Sequence, residues 1–162
     1  MALLLLVAAC GSGSRPGASS STATGSSASS SRVLIGTARG PHGTYLTGAS
    51  GRALYRWVGD SDQASNCSGD CAATWPPVIA TARPAPASGV SAAGLSTILR
   101  SDGSEQVSYH GHPLYYYTAD AGPRTTRGEG RDSFGARWWL VAPSGAAITT
   151  KGGSATPPPV GY

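Results

Sequence analysis

The sequence predicts a small all-β domain over residues 32–150, built from two tandem repeats that span about 32–90 and 91–150. Turn-forming residues recur at short spacing, as in Gly40-Pro41, Ser101-Asp102-Gly103-Ser104 and His110-Gly111. No amphipathic helix with capping signals lies between them. A ten-residue pattern also occurs twice, at residues 51–60 and 111–120. Short strands between frequent turns are typical of antiparallel hairpins, here in a small sheet or barrel-like domain.

The predicted strands are short runs rich in β-branched, aromatic or alternating apolar residues. They cover residues 33–38, 44–47, 52–58, 97–100, 105–109, 112–118, 138–142 and 147–150. The clearest hairpin turns at His110-Gly111, because glycine tolerates the positive φ of a two-residue turn. Pro113 removes one hydrogen-bond donor from the ladder, so the strand that follows this turn is expected at a sheet edge.

The repeated pattern is G-x-x-L-Y-x-aromatic-x-x-D, and the two copies align without a gap. Read as a strand, each copy directs its two aromatic side chains to one face and its leucine to the other. The aspartate comes just past the strand, where a carboxylate commonly accepts backbone hydrogen bonds and stabilises a turn. Duplication predicts that each half covers the apolar face of the other. The matched positions are Tyr55, Trp57, Asp60, Tyr115, Tyr117 and Asp120.

Three interpretations of the repeated residues remain open. In the first they are architecture: the rings fill the core, and each tyrosine hydroxyl bonds to the aspartate of the other copy. In the second the rings face outward and stack on a sugar or an aromatic ligand, while the carboxylates accept hydrogen bonds. In the third Asp60 and Asp120 pair across a pseudo-two-fold axis, as the carboxylates of glycosidases do. The sequence contains no nucleophile elbow, metalloprotease helix or phosphate loop, which favours a non-catalytic protein.

The N-terminal residues predict export and lipidation. The chain opens MALLLLVAAC, and its apolar run is far too short to span a bilayer but compatible with a signal peptide over residues 1–9. Small residues before Cys10 resemble the bacterial lipobox, in which the cysteine sulfur carries a diacylglycerol. Two or three acyl chains give stable anchoring. We therefore expect attachment to the outer face of the bacterial cell membrane through Cys10.

Residues 10–31 are predicted to form a flexible tether. Ten of the 21 residues after Cys10 are serine and four are glycine, with no large apolar side chain among them. Such a segment cannot bury enough surface to offset the entropy of ordering it. Its root-mean-square reach is roughly 25 Å. The tail over residues 151–162, which contains three consecutive prolines, is also expected to be flexible.

Cys67 and Cys71 lie in the stretch NCSGDC. In an exported protein two thiols four residues apart are expected to pair, and the intervening Ser-Gly-Asp can form the turn. A zinc site would need further ligands, and a catalytic redox pair usually reads CxxC beside a helix. A structural disulfide is therefore the favoured prediction.

His110 and His112 form the principal candidate metal ligands. On a continuous strand their side chains would share one face and could hold copper or zinc. The predicted turn at Gly111 disturbs that alignment, and a third ligand such as His42 would have to come from elsewhere. The prediction is therefore a protein without a metal or other cofactor.

The charge pattern argues against a nucleic-acid partner. Twelve basic and eight acidic residues give a net charge of +4, and the arginines are dispersed along the chain. Binding to nucleic acid usually needs a concentrated basic surface.

Three features together resemble a bacterial family of predicted lipoproteins, the secreted repeats of unknown function. They are the doubled Tyr-x-(Phe/Trp/Tyr)-x-x-Asp motif, the CxGxC pair before Trp75-Pro76-Pro77, and the lipobox. The resemblance implies a surface lipoprotein and supplies no catalytic residues. We expect an exported, membrane-anchored, non-catalytic binding module with a cell-wall or other envelope partner. The alternatives are a metal-binding or redox accessory lipoprotein and a wall-active hydrolase.

Overall fold

The computed structural model of the chain describes residues 32–149. The predicted signal peptide, the lipidation site Cys10, the tether and the tail lie outside the described residues. Within them, no helix is long and apolar enough to cross a bilayer. In chain order the elements are β1 (Leu34–Gly40), β2 (Gly43–Thr47), β3 (Tyr55–Trp57), α1 (Asp70–Thr74), β4 (Ala85–Pro86), β5 (Leu95–Leu99), β6 (Glu105–Tyr109), β7 (His112–Pro113), β8 (Asp132–Ser133) and β9 (Ala136–Leu140).

The strands of this region form three small sheets with the orders β2-β1-β4, β5-β6-β7 and β3-β9-β8. The all-β class and the two-repeat organisation are confirmed. The strand pairings are antiparallel, except that β1 and β4 run parallel. Each repeat supplies one long hairpin, β1–β2 in the first and β5–β6 in the second.

The predicted turn between β6 and β7 is present. His110 has φ 48° and Gly111 has φ 84°, and positive φ at both positions is what a type I′ hairpin turn requires. Strand β7 lies at the edge of its sheet, as the proline in it predicts. The last hydrogen bond to β6 is donated by Leu114 N to Val107 O at 3.0 Å, and the chain then diverges so that Tyr115 pairs with Tyr55 in the other repeat.

Several predicted boundaries are wrong for identifiable reasons. The strands predicted over 52–58 and 112–118 are much shorter, because each motif segment changes partner along its length. Of the run predicted over 147–150, the described residues 147–149 form a single bridge, between Val141 and Ala147, rather than a strand. Helix α1 and a 3-10 turn at Ala92–Gly94 were not predicted, since three to five residues are too few to show a helical period.

The two repeats exchange one short segment each, at Val78 and at Val141. Val78, near the end of the first repeat, accepts a hydrogen bond from Val107 N at 2.8 Å and donates to Leu114 O at 2.9 Å, both in the second. In the equivalent arrangement of the other repeat, Val141 O accepts from Leu46 N at 2.8 Å, and Val141 N donates to Leu54 O at 3.3 Å. Each hairpin is therefore completed by backbone from the other repeat.

The core divides into two clusters that lie on opposite faces of the motif segments. Leu54 and Leu114 belong to a mainly aliphatic cluster together with Ile35, Leu46, Val78, Leu95, Val107 and Val141. The motif tyrosines belong to an aromatic cluster with Trp75, Trp138 and the two paired cysteines. Both clusters draw on both repeats. The alternation predicted for a strand is therefore retained, but both of its faces are buried.

Candidate functional site

The motif tyrosines and aspartates are joined crosswise between the repeats. The Tyr55 hydroxyl donates to Asp120 Oδ2 at 2.7 Å, and the Tyr115 hydroxyl donates to Asp60 Oδ2 at 2.7 Å. The backbones of the two tyrosines also exchange a pair of N–H···O bonds of 2.9 Å. A local pseudo-two-fold axis therefore passes between Tyr55 and Tyr115.

Each aspartate also organises the loop that follows it. Asp60 Oδ1 accepts from Asn66 N, and Asp120 Oδ1 accepts from Arg127 N, both at 2.8 Å. Asp120 is 3% exposed. Burial raises the pKa of Asp60 above its ordinary value. The two carboxylates thus act in the structure as acceptors that join a loop of one repeat to a tyrosine of the other.

The phenols are held strongly in their protonated form. Burial, followed by the hydrogen bond to Asp120, raises the pKa of Tyr55. Burial and the charge of Asp60 raise the pKa of Tyr115 in the same way. A neutral phenol beside an ionised carboxylate makes a strong, charge-assisted hydrogen bond.

A stack of four aromatic rings crosses the same axis. Trp75 and Trp138 lie parallel with ring centroids 3.9 Å apart. Tyr117 stacks on the outer face of Trp75 at 4.2 Å, and Trp57 stacks on that of Trp138 at 5.4 Å. The burial of these rings distinguishes the interpretation in which they fill the core from the one in which they face a ligand. Tyr55, Tyr115 and Tyr117 are buried and Trp57 is half-buried, so the repeated aromatics pack in the core.

The cysteines form the predicted disulfide. Cys67, in the loop that leads into α1, is bonded to Cys71 in the first turn of that helix. The guanidinium of Arg100 holds this loop from the second repeat and is itself 6% exposed. It donates to Cys67 O at 2.7 Å, to Ser65 Oγ at 2.7 Å and to Gln106 Oε1 at 2.6 Å.

The histidines do not assemble a metal site among the described residues. Nowhere in residues 32–149 do three or more His, Cys, Asp or Glu side chains converge as metal ligands. His42 lies in the turn between β1 and β2. His112 Nδ1 is 3.7 Å from Asp62 Oδ1, and burial lowers the pKa of His112, with Arg56 adding to the effect. His110 is directed elsewhere, against Gly94 and Gly145.

A polar groove of about 360 Å³ lies where the turn between β6 and β7 meets the loop after Asp60. Ser96 and Ser108, paired across β5 and β6, line it on the sheet side. The first repeat contributes Asp62 and Gln63, and Gln63 N donates to Gly111 O at 2.8 Å. His110 lines the groove beside these residues. The groove therefore has side chains from both repeats.

Sequence reasoning identified His110 but missed the rest of this groove. Asp62, Gln63 and the two serines come from segments far apart in the chain, and no spacing rule joins them. Sequence reasoning also missed Glu129, whose Oε2 accepts a hydrogen bond from Leu140 N at 2.7 Å. Burial raises the pKa of Glu129 to about 7. The sequence does contain one signal for the groove: a histidine precedes Gly111 where a type I′ turn favours asparagine or glycine.

Comparison with known protein families gives one result that bears on these features. A family model described as a secreted repeat of unknown function matches residues 36–79 and again residues 96–142. No curated protein and no solved structure matches the chain. The two matches cover more than half of the chain and contain the two hairpins and their motif segments. The chain therefore belongs to the family of secreted repeats of unknown function.

Proposed function

We propose that the chain is an exported bacterial lipoprotein, anchored through Cys10 to the outer face of the cell membrane. Its two-repeat domain is a non-catalytic binding module of the cell envelope. The engagement of the motif carboxylates is the observation that carries this proposal. Each one accepts from a tyrosine and from a backbone N–H, so neither is available to transfer a proton to a substrate.

The binding role is supported by the groove between the repeats. Its volume of about 360 Å³ falls in the range of small-molecule sites. The side chains that line it can both donate and accept hydrogen bonds. The motif tyrosines and aspartates stabilise the fold, and the groove between the repeats is left to provide the specificity.

The anchor is tested by feeding expressing cells an alkyne-bearing fatty acid and isolating the full chain. We expect the wild-type chain to carry the label and to sediment with membranes, and Cys10→Ala to lose both. A Cys67→Ser/Cys71→Ser chain is the matched control, which retains the label because its lipobox is intact. An unlabelled wild-type chain would overturn the anchor.

The binding role is tested by cosedimentation of the full chain with isolated bacterial cell walls. We expect retention on the walls without release of soluble fragments. Failure to sediment with the walls would contradict the binding module. Fragment release that is abolished in Asp60→Asn would instead make the protein a wall hydrolase.

A further inference from the structure

The groove at His110 has a counterpart in the other repeat, with a similar position but fewer polar side chains. A Cβ at Gly111 would lie 4.0 Å from Gln63 Cγ, and a Cβ at Gly51 would lie 3.3 Å from Pro123 Cβ. The turn that follows each hairpin therefore meets the loop of the motif aspartate. A second groove, of about 440 Å³, lies beside Gly51.

The two grooves have different chemistry. Among the described residues, those around the second groove carry only hydroxyl or apolar side chains or none, and they include Gly36, Thr37, Thr47 and Ser88. The first groove has a carboxylate, an amide and an imidazole in addition to its serine hydroxyls. Pro123 also lacks the N–H with which Gln63 bonds to the turn. The same architecture thus exists in a plain copy and in a copy with added polar groups.

His110 gives the strongest sign that the polar copy is a built site. Its φ of 48° is set by the hairpin turn, as is the φ of 58° at Phe134 in the turn between β8 and β9, so the sign lies in the space made for its ring. Two glycines make room for its ring: a Cβ at Gly94 would lie 2.6 Å from His110 Nε2, and one at Gly145 would lie 2.7 Å from His110 Cδ2. A smaller residue would suit the turn better, so the fold accommodates the imidazole at a cost.

The side chains of the groove define the ligand class. The Ser96 hydroxyl and the Gln63 amide each donate and accept, and Asp62 adds a strong acceptor whose side chain is 85% exposed, while Ser108 lies behind them at 1% exposure. Asp62 is the one acidic or basic side chain other than His110 among the described residues of the lining, and His112, 3.7 Å from it, has its pKa lowered by burial, so the groove does not favour an anion. Such a set matches a neutral ligand with several adjacent hydroxyls. We propose that this groove binds a single neutral sugar residue. This proposal names the ligand class for the binding role proposed above and rests on that role.

The test uses the ¹⁵N-labelled full chain with Cys10→Ser, titrated with N-acetylglucosamine and, in a second arm, with inorganic phosphate. We expect saturable amide shifts at Ser96, Ser108 and Gly111 with the sugar at millimolar concentration, and none there with phosphate. His110→Asn and Gln63→Asn should weaken sugar binding about tenfold, because each shorter side chain draws its polar group back from the ligand and loses a contact worth about 1.4 kcal/mol. Asparagine tolerates positive φ, so both variants keep the backbone of the site.

Thr47→Val in the plain groove is the matched control and should bind the sugar like the parent chain. An absence of shifts at the groove residues, or equal binding by all variants, would overturn the sugar site. Shifts with phosphate alone would also overturn it and make the groove an anion site. The wall assay is read separately: a chain that sediments with walls but ignores the sugar retains the binding role and loses this ligand. A chain that binds the sugar but does not sediment with walls retains the sugar site and loses the wall-binding role.

Discussion

At the scale of single residues, the motif tyrosine and aspartate act as a pair whose members come from different repeats. The sequence could suggest this because a buried phenol needs a partner and the motif supplies one carboxylate per copy. The choice of partner could not come from spacing alone, since both aspartates follow their own tyrosine by five positions. The structure resolves it through the antiparallel contact of Tyr55 and Tyr115, which turns each hydroxyl toward the other repeat.

Removing one phenol from this arrangement should be costly. We expect Tyr55→Phe to lower the free energy of unfolding by about 2 kcal/mol, because it takes a charge-assisted hydrogen bond from the buried Asp120. Urea denaturation measures the change. Tyr116→Phe is the control, since the Tyr116 hydroxyl makes no side-chain hydrogen bond with residues 32–149. A coupling energy near zero in a cycle of Tyr55→Phe and Asp120→Asn would contradict the pairing.

Glu129 predicts a pH dependence of stability. Burial raises its pKa to about 7 from 4.5, so the folded chain binds more protons than the unfolded chain between these values. The contribution of Glu129 to stability therefore falls as the pH rises from about 4.5 to about 7, and it is constant above. We expect the melting temperature of the wild type, relative to Glu129→Gln, to decline over that window. A relative melting temperature that is level or rises over the window would show that the carboxyl is not destabilised by burial.

At the scale of elements, predictions held best where the local signal was strong. The turn at His110-Gly111, the long hairpins and the disulfide all depend on residues close together in the chain. The short strand β4 and the early end of β7 depend on distant partners, which no local pattern reveals. Val78 illustrates this, because its two ladder bonds are to Val107 and Leu114 and nothing in Pro76-Pro77-Val78 indicates that pairing.

The loop around the disulfide should depend on Arg100 as well as on the covalent bond. We expect Arg100→Met to lower the free energy of unfolding by about 3 kcal/mol, since it leaves Gln106 and Cys67 O without their buried donor. Chemical denaturation measures this loss. Arg39→Met changes an exposed arginine and should stay within about 0.5 kcal/mol of the wild type. Equal effects of the two substitutions would refute a special role for Arg100.

At the scale of the whole molecule, the domain is one cooperative unit made of two similar halves. The sequence identified the duplication, because ten aligned positions recur without a gap. It could not give the exchange of short segments, which places Val78 in the ladder of the second repeat and Val141 in that of the first. The candidate site could not be predicted from the sequence either, since the groove forms only where the two folded halves meet.

Separation of the halves should therefore abolish folding. We expect a fragment of residues 32–90, and equally one of residues 91–149, to show no cooperative thermal transition as a monomer. A mixture of the two should recover the far-ultraviolet circular dichroism spectrum and a single transition. Cooperative melting of either fragment at a concentration where sedimentation shows a monomer would contradict the interdependence.

The exchange of short segments also bears on how many such units a chain can hold. A pair is closed, because the backbone groups of each hairpin are satisfied by its neighbour. A third unit added to the chain would have no neighbour to supply the segment equivalent to Val78 or Val141. Its hairpin would present free N–H and C=O groups at an open edge, which invites strand addition from another molecule. Even numbers of repeats avoid that hazard, so unpaired copies in longer chains should occur only where a second chain completes them.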